Sequence, residues 1–234
     1  MSPGRLKGKN MDVFTILMEW SPYLLEGIFM TLALVLASLG LGLLFGLPMA
    51  LGQVYGGRSL RSVISVYVWF FRGLPVLVLL FLFFFGIFPS MDLDLSPFMV
   101  AVVVLGLRGA AYQSQIFRGA IQAIGEGQMT AARSLGMSRL QAIRYIILPQ
   151  AVRIALPGWS NEYPTVLTDT SVCYAIGVAE LLTRTTQIVS QTYVTMPIYL
   201  AAACIYILMN YAGMRALNHI EKRISVPGFG QGGA

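Results

Sequence analysis

Long apolar runs separated by short polar links make up most of the chain. A membrane-spanning helix needs about 20 mostly apolar residues, because each residue rises ~1.5 Å and the hydrocarbon layer is ~30 Å thick. The apolar runs reach this length at five places. The pattern predicts five transmembrane helices, from about Tyr23 to Gly57, Ser62 to Phe88, Pro97 to Phe117, Ile154 to Val178 and Val194 to Ala216.

The remaining segments are short, so the pattern predicts one transmembrane domain over residues 23–223 without an appended soluble domain. Residues 1–22 are predicted to be a tail and an amphipathic segment at the membrane surface. The basic start lacks an adjoining short apolar core with a cleavage site, so no removed signal peptide is predicted. Residues 224–234 are predicted to be a flexible tail, because they are polar and rich in glycine.

The composition supports this picture, since 56% of the 234 residues are hydrophobic and only 11% are charged. Such a balance is wrong for a soluble domain and predicts an all-α integral membrane protein. Cys173 and Cys204 each lie in an apolar run, so we expect them to pack as small hydrophobic residues. Their positions predict neither a disulfide nor a metal site.

The distribution of charge bears on orientation in the membrane. The net charge of +6 could suggest nucleic acid, but the Arg residues lie mainly in links between spans. Cytoplasmic links are enriched in Lys and Arg. With the N-terminus outside, the inner links hold ten of these residues and the outer ones four, three of them in the N-terminal tail. We therefore predict an outer N-terminus and a cytoplasmic C-terminus.

The longest polar link, residues 118–149, is predicted to form cytoplasmic amphipathic helices. Gly136 permits a left-handed turn, and Ser138 with Gln141 forms a plausible capping box. Ala131 and Ala132 are small enough to let a partner surface approach. The link could therefore insert into a groove on another protein. Alternatives are a helix pair lying on the membrane and, less favoured because the link is tethered at both ends, a DNA-binding helix-turn-helix.

The spacing of Ala131, Ala132 and Gly136 in this link resembles the cytoplasmic "Glu-Ala-Ala" loop of bacterial ATP-binding-cassette (ABC) import permeases. The wider chain resembles their polar amino acid branch, which serves histidine, arginine, glutamine, glutamate and opines. The similarity covers about Tyr23 to Arg223. The matching stretches are Arg72-Gly73-Leu74-Pro75, Ala111-Tyr112, Arg118-Gly119-Ala120-Ile121, Gly127-Gln128, Leu135-Gly136, Leu148-Pro149-Gln150-Ala151, Leu156-Pro157, Asn161, Asp169-Thr170-Ser171 and Gly177.

The resemblance implies a type I importer permease fold and several partners. These are two ATPase subunits that use the ATP, a second permease subunit (identical or paralogous) and an extracytoplasmic amino-acid-binding protein. No cofactor is implied for this chain itself. The loop residues implied to meet the ATPase are Gln128, Thr130, Ala131, Ala132, Leu135, Gly136 and Ser138.

The chain departs from the family pattern at four positions. The family usually has Glu at the position of Thr130, Glu at that of Gln115 and Lys at that of Thr168. A neutral polar residue would be expected at the position of Arg108. These departures leave the identity of the amino acid open.

Charged residues within the spans are candidates for the transport pathway. A charge at mid-membrane costs ~2.5 kcal/mol or more on insertion scales, so Arg72, Arg108, Glu162 and Asp169 need partners or a wet cavity. Pro157, Gly158 and Pro164 are expected to interrupt the fourth span and free backbone groups. Arg108 could take the carboxylate of an amino acid, and Glu162 or Asp169 its ammonium.

The predicted substrate-binding residues are Arg108, Asn161, Glu162 and Asp169. Two alternatives remain open: Arg108 and Glu162 neutralise one another, or Asp169 caps a broken helix end. Arg72 is expected to hold a helix, and His219 to lie at the inner surface.

Other function classes are less favoured. The sequence has no Gly-x-x-x-x-Gly-Lys-Ser/Thr loop, so the nucleotide is expected on another chain and no enzymatic activity on this one. A secondary transporter or channel driven by an ion gradient would explain the buried charges but not the cytoplasmic link. An intramembrane enzyme is disfavoured, because the sequence has one His and no convincing catalytic or metal-ligand spacing.

Overall fold

The computed structural model describes residues 13–224, where every regular element is a helix. This agrees with the predicted all-α architecture. The α-helices are α1 (Val13–Tyr55), α2 (Arg58–Gly73), α3 (Val76–Phe81), α4 (Phe88–Ser90), α5 (Pro97–Ala123), α6 (Glu126–Ser134), α7 (Arg139–Ala142), α8 (Leu148–Ser160), α9 (Glu162–Thr170), α10 (Leu181–Thr192) and α11 (Thr195–Ile224). Two π-helical segments, Leu82–Ile87 and Ile143–Ile147, and a 3-10 segment, Ser171–Ile176, connect neighbouring helices.

Within residues 13–224, three helices are long and apolar enough to cross a membrane by themselves: α1, α5 and α11. Two bent helix pairs raise the number to five if each pair is one span. The first pair joins α2 to the segment Val76–Ser90 at 108°, and the second joins Glu162–Ile176 to α10 at 51°. The five predicted spans thus correspond to three continuous helices and two bent ones.

The predicted second span, Ser62 to Phe88, is sharply bent, because the chain turns at Leu74 and Pro75. Leu74 has an extended backbone with φ −103° and ψ 141°. The proline ring disfavours the helical conformation of the preceding residue, and Pro75 has no N–H to continue a helix. The bend leaves Arg72 in the last turn of α2.

The fourth span also differs from the prediction of residues 154–178. Helix α8 continues through Pro157 to Ser160, and Asn161 keeps a near-helical backbone (φ −72°, ψ −11°) before α9 begins. The interruption falls instead after the 3-10 segment, at Gly177, whose φ is +87°. Helix α10 occupies part of the predicted link before the fifth span.

Several helix ends lie beyond their predicted limits. Helix α1 passes the predicted boundary at residues 22–23 without a break, although Pro22 lies inside it. Helix α5 extends to Ala123, six residues past the predicted end at Phe117. Helix α11 extends to Ile224, eight residues past the predicted end of the fifth span at Ala216. The predictions for residues 1–12 and 225–234 fall outside the described residues.

The bundle is centred on the packing of α1 against α5, where small residues allow close approach. A Cβ on Gly46 would lie 3.0 Å from the Ala110 carbonyl oxygen and 3.1 Å from Cβ of Gln113. Gly42 abuts the Gln113 side chain, which also accepts a 2.8 Å hydrogen bond from Trp159 of α8. Gly42 and Gly46 therefore allow α1 and α5 to pack closely, whereas Gly40 faces open space.

We expect Gly46→Leu to destabilise the protein by about 1–3 kcal/mol or more, because the added side chain must separate two packed backbones. The matched control is Gly40→Leu in the same helix, where a Cβ meets nothing within 4 Å. Thermal unfolding in detergent would measure both variants. An equal melting temperature for the two would contradict the assigned α1–α5 contact.

Cys173 is buried, as predicted for a packed thiol, whereas Cys204 lies exposed on α11. Among the residues described, neither is in a disulfide.

Candidate functional site

Four charged side chains from α2, α5 and α9 form a cluster: Arg72, Arg108, Glu162 and Asp169. Arg108 of α5 donates a 2.5 Å hydrogen bond from Nη1 to the Asp169 carboxylate of α9. Both side chains are only 19% exposed. The pair therefore joins the middle of α5 to the end of α9 through a mostly desolvated ion pair.

Tyr112 contacts both arginines of the cluster. The guanidinium carbon of Arg72 is 4.8 Å from the centroid of the Tyr112 ring, and that of Arg108 is 5.0 Å away. Arg108 and Tyr112 are four residues apart and share one face of α5. These distances are typical of cation–π contacts, which hold both guanidiniums beside one aromatic ring.

Glu162, at the start of α9, is half-buried and lies within Coulombic reach of Arg108, Asp169 and Arg72. Its carboxylate makes neither a hydrogen bond nor an ion pair within residues 13–224, where the two ion pairs are Arg108–Asp169 and Arg184–Glu26. Arg72 likewise lacks a carboxylate within 4 Å in that range. The cluster thus contains one ion pair, Arg108–Asp169. Its two other charges, Arg72 and Glu162, are opposite in sign and form no ion pair within residues 13–224.

The structure brings together three of the four predicted substrate-binding residues. Neutralisation of Arg108 occurs, but its partner is Asp169 and not Glu162. Asp169 is thereby engaged by Arg108, and no capping hydrogen bond from its side chain is found in the described part of the chain. Asn161 is exposed at the junction of α8 and α9, where its side chain makes no capping hydrogen bond. Arg72, expected to hold a helix, belongs to the cluster.

The predicted loop folds into a compact helical unit. We call residues 126–147 the loop unit, which comprises α6, a turn, α7 and the second π-helical segment. Gly136 has φ +82°, and its N–H donates to the Arg133 carbonyl while the Met137 N–H donates to that of Ala132. Both hydrogen bonds of the predicted capping box, between Ser138 and Gln141, are present. The predicted turn and helix restart are therefore confirmed.

The loop unit exposes apolar side chains at its surface. Leu135 is 84% exposed at the turn and Leu140 is 74% exposed on α7. Ala131 is exposed, but Ala132 is buried against the rest of the chain. Ala131 can therefore contact another protein. Ala132 cannot, because its side chain faces the interior of the chain. Pro149 lies in the first turn of α8 and so begins the next helix.

An arginine connects the loop unit to the end of α1. Arg139 donates a 3.1 Å hydrogen bond to the Tyr55 carbonyl, and its guanidinium carbon is 5.4 Å from the Tyr55 ring centroid. Arg61 similarly donates to the Val54 carbonyl at 3.0 Å. Terminal carbonyls of a helix need donors and attract cations. This connection was not predicted, and its only sequence signal is the basic residues that surround the end of α1.

Sequence reasoning also missed a buried carboxylate at the start of α10. Glu180 is fully buried and accepts hydrogen bonds from the N–H groups of Leu182 and Thr183 and from the Tyr206 hydroxyl of α11. These donors satisfy a carboxylate that forms no ion pair among residues 13–224. Glu180 therefore caps α10 and joins it to α11, a structural role that a capping signal before Leu181 could have indicated.

Comparison with known proteins identifies the class of the chain. Residues 42–226 match the family model described as "Binding-protein-dependent transport system inner membrane component". The match covers well over half of the chain, and the chain belongs to this family. It is accordingly a multi-pass permease subunit of an ABC importer, a transport subunit of a class that works with ATPase and substrate-binding partners.

Individual relatives agree with this class over almost the whole chain. The chain is 34% identical over 215 residues to the glutamine transport system permease protein GlnP of Escherichia coli K12, covering 89% of this chain and 98% of that protein. It is 36% identical over 204 residues to the L-cystine transport system permease protein TcyB of Bacillus subtilis, covering 87% of each.

A solved structure described as an amino acid ABC transporter with histidines superimposes with a TM-score of 0.81 at 33% identity. The match covers 92% of this chain and 100% of that one.

Proposed function

We propose that this permease carries a polar amino acid across the bacterial inner membrane. The charge cluster supports the proposal, because an amino acid presents a carboxylate and an ammonium and the cluster offers both guanidinium and carboxylate groups. The names of the relatives, which include glutamine and L-cystine systems, point the same way. The residues proposed to line the substrate path are Arg108, Asn161, Glu162 and Asp169.

Within this set the geometry favours Glu162 for direct contact with substrate. Arg108 and Asp169 already form an ion pair across 2.5 Å, whereas the Glu162 carboxylate has no ion-pair partner in the described structure. A substrate ammonium would supply the missing counter-charge. Asn161, exposed beside Glu162, would add an amide donor and acceptor at the edge of the path.

The loop unit is proposed to receive the ATPase subunits, which bind the ATP; this chain needs no cofactor of its own. Exposed Leu135 and Ala131 offer an apolar surface on the loop unit. The hydrogen-bonded turn at Gly136 and the capping box of Ser138 and Gln141 hold this unit in shape. The proposed contact residues are Gln128, Thr130, Ala131, Leu135, Gly136 and Ser138, with Ala132 supporting them from inside. ATP binding would then favour one of two packings of the helix bundle.

The complete importer is proposed to contain a second permease subunit, identical or paralogous, and an extracytoplasmic amino-acid-binding protein. The N-terminus would lie outside and the C-terminus in the cytoplasm. The excess of Lys and Arg in the links on the loop-unit side supports this orientation. A membrane-impermeant thiol reagent that labels Ser134→Cys from outside intact cells would overturn it.

The test of this function is co-purification followed by reconstitution. We expect a tagged chain to bring a separate ATPase with it, and uptake of a radiolabelled amino acid into proteoliposomes to require ATP and the binding protein. Uptake driven by a sodium or proton gradient without ATP would support a secondary transporter instead. The control is the same complex with a non-hydrolysable ATP analogue, which should give no sustained uptake.

A further inference from the structure

We propose that Arg72 receives the carboxylate of the transported amino acid and Glu162 its ammonium, so that the site selects an amino acid without net charge. This inference rests on the proposed function and assigns roles within the same cluster. It also gives Arg72, at the end of α2, a binding role in place of the expected structural one.

The contact with Tyr112 shows how deep in the helix bundle the Arg72 side chain lies. Tyr112 lies close to the middle of α5, a helix of 27 residues, and the Arg72 guanidinium carbon is 4.8 Å from its ring centroid. Arg72 therefore reaches the same level as Arg108, which approaches the same ring at 5.0 Å. A guanidinium at this level of a membrane helix is costly unless a partner or a wet cavity stabilises it.

Arg72 has no such anionic partner in the described part of the chain. Its side chain is exposed, and no carboxylate among residues 13–224 lies within 4 Å of it. Arg108, by contrast, is mostly buried and already bound to Asp169. Arg108 also keeps one free donor, Nε, but that atom is buried. Of the two arginines, Arg72 is thus the exposed one, and the one without a carboxylate partner among residues 13–224. A guanidinium binds a carboxylate through two parallel hydrogen bonds, which suits this role.

Glu162 is the complementary free group. It lies seven residues before Asp169 on α9, which places both carboxylates on one face of the helix and about 10 Å apart along its axis. Asp169 is bound by Arg108, and Glu162 remains open within Coulombic reach of Arg72. An α-amino acid between Arg72 and Glu162 would pair its carboxylate with the first and its ammonium with the second.

The charge balance of the cluster sets the substrate class. Two arginines and two carboxylates sum to zero, and a zwitterion with an uncharged side chain leaves that sum unchanged. A cationic or anionic side chain would add an uncompensated charge in a partly desolvated site, which is unfavourable. The cluster therefore favours net-neutral amino acids over arginine, lysine, aspartate and glutamate.

The test is equilibrium binding to the permease–ATPase complex in nanodiscs, without the binding protein, whose own selectivity would dominate uptake. Each of the twenty proteinogenic amino acids and L-cystine, radiolabelled, is measured by scintillation proximity. We expect a net-neutral amino acid to bind best. For that amino acid, Arg72→Gln should weaken binding by about 10- to 100-fold, as expected for loss of a charge-assisted hydrogen bond.

Analogues separate binding from general damage. The carboxamide of the same amino acid lacks the carboxylate, so its weak binding should be unchanged by Arg72→Gln but reduced by Glu162→Gln. Arg72→Lys should restore part of the affinity, because it keeps the charge but not the paired hydrogen bonds. Arg58→Gln, at the other end of α2, is the matched control and should bind like the unmodified complex.

Preferred binding of a charged amino acid, or unchanged affinity in Arg72→Gln, would overturn this inference while leaving amino acid transport intact. If the unmodified complex binds neither any of the twenty nor L-cystine, the proposed function itself fails.

Discussion

Leu135→Asp is expected to abolish ATP-driven uptake while leaving the permease folded. Leu135 is 84% exposed at the turn of the loop unit, so the substitution removes no internal contact. In the proposed complex the leucine is buried against the ATPase, a burial that contributes about 2 kcal/mol. An unpaired carboxylate there adds a desolvation penalty. The combined loss corresponds to at least about a 100-fold weaker association.

The measurement has two parts: retention of the ATPase during purification and ATP-dependent uptake in proteoliposomes. Gln122→Asp is the matched control, since it adds the same charge at an exposed position in the last turn of α5, outside the loop unit. An unchanged melting temperature would show that Leu135→Asp is folded. Uptake at half the unmodified rate or more would contradict the assigned docking surface.

Arg108→Gln should destabilise the protein strongly, and adding Asp169→Asn should recover most of the loss. The single substitution leaves the Asp169 carboxylate, only 19% exposed, without its cation. Breaking a fully buried pair in this way costs about 3–5 kcal/mol, and the partial exposure here lowers our expectation to about 2–4 kcal/mol. The double substitution removes both charges, so no uncompensated carboxylate remains.

Thermal unfolding in detergent, followed by tryptophan fluorescence, would measure the four members of this double-mutant cycle. Glu26→Gln is the control, because Glu26 is 67% exposed in its 2.7 Å pair with Arg184 and should contribute less than about 1 kcal/mol. A double variant whose loss equals the sum of the two single losses would show that the charges are not coupled across α5 and α9.

The features that were predicted correctly depend on residues close together in the chain. The capping box of Ser138 and Gln141 spans three residues, and the left-handed turn needs only Gly136. The apolar runs that form α1, α5 and α11 are equally local, because burial in a bilayer depends on length and composition. Such elements can be inferred without knowing how helices pack.

The features that were missed depend on the rotation and depth of whole helices. Glu162 and Asp169 share one face of α9, so the sequence could not decide which of them meets Arg108, 61 residues before Asp169. The outcome is set by where α5 and α9 cross. Likewise, nothing local brings Arg72 next to Tyr112; the packing of α2 against α5 does so.

The contact between Arg139 and Tyr55 has a consequence for how force enters the bundle. The loop unit is covalently continuous with α5 and α8, and through Arg139 it also holds the end of α1, the longest helix described. A displacement of the loop unit would therefore act on α1, α5 and α8 together, so that the three helices move as one rigid body. A permease lacking Arg139 could still bind its ATPase, but ATP hydrolysis would then be uncoupled from transport.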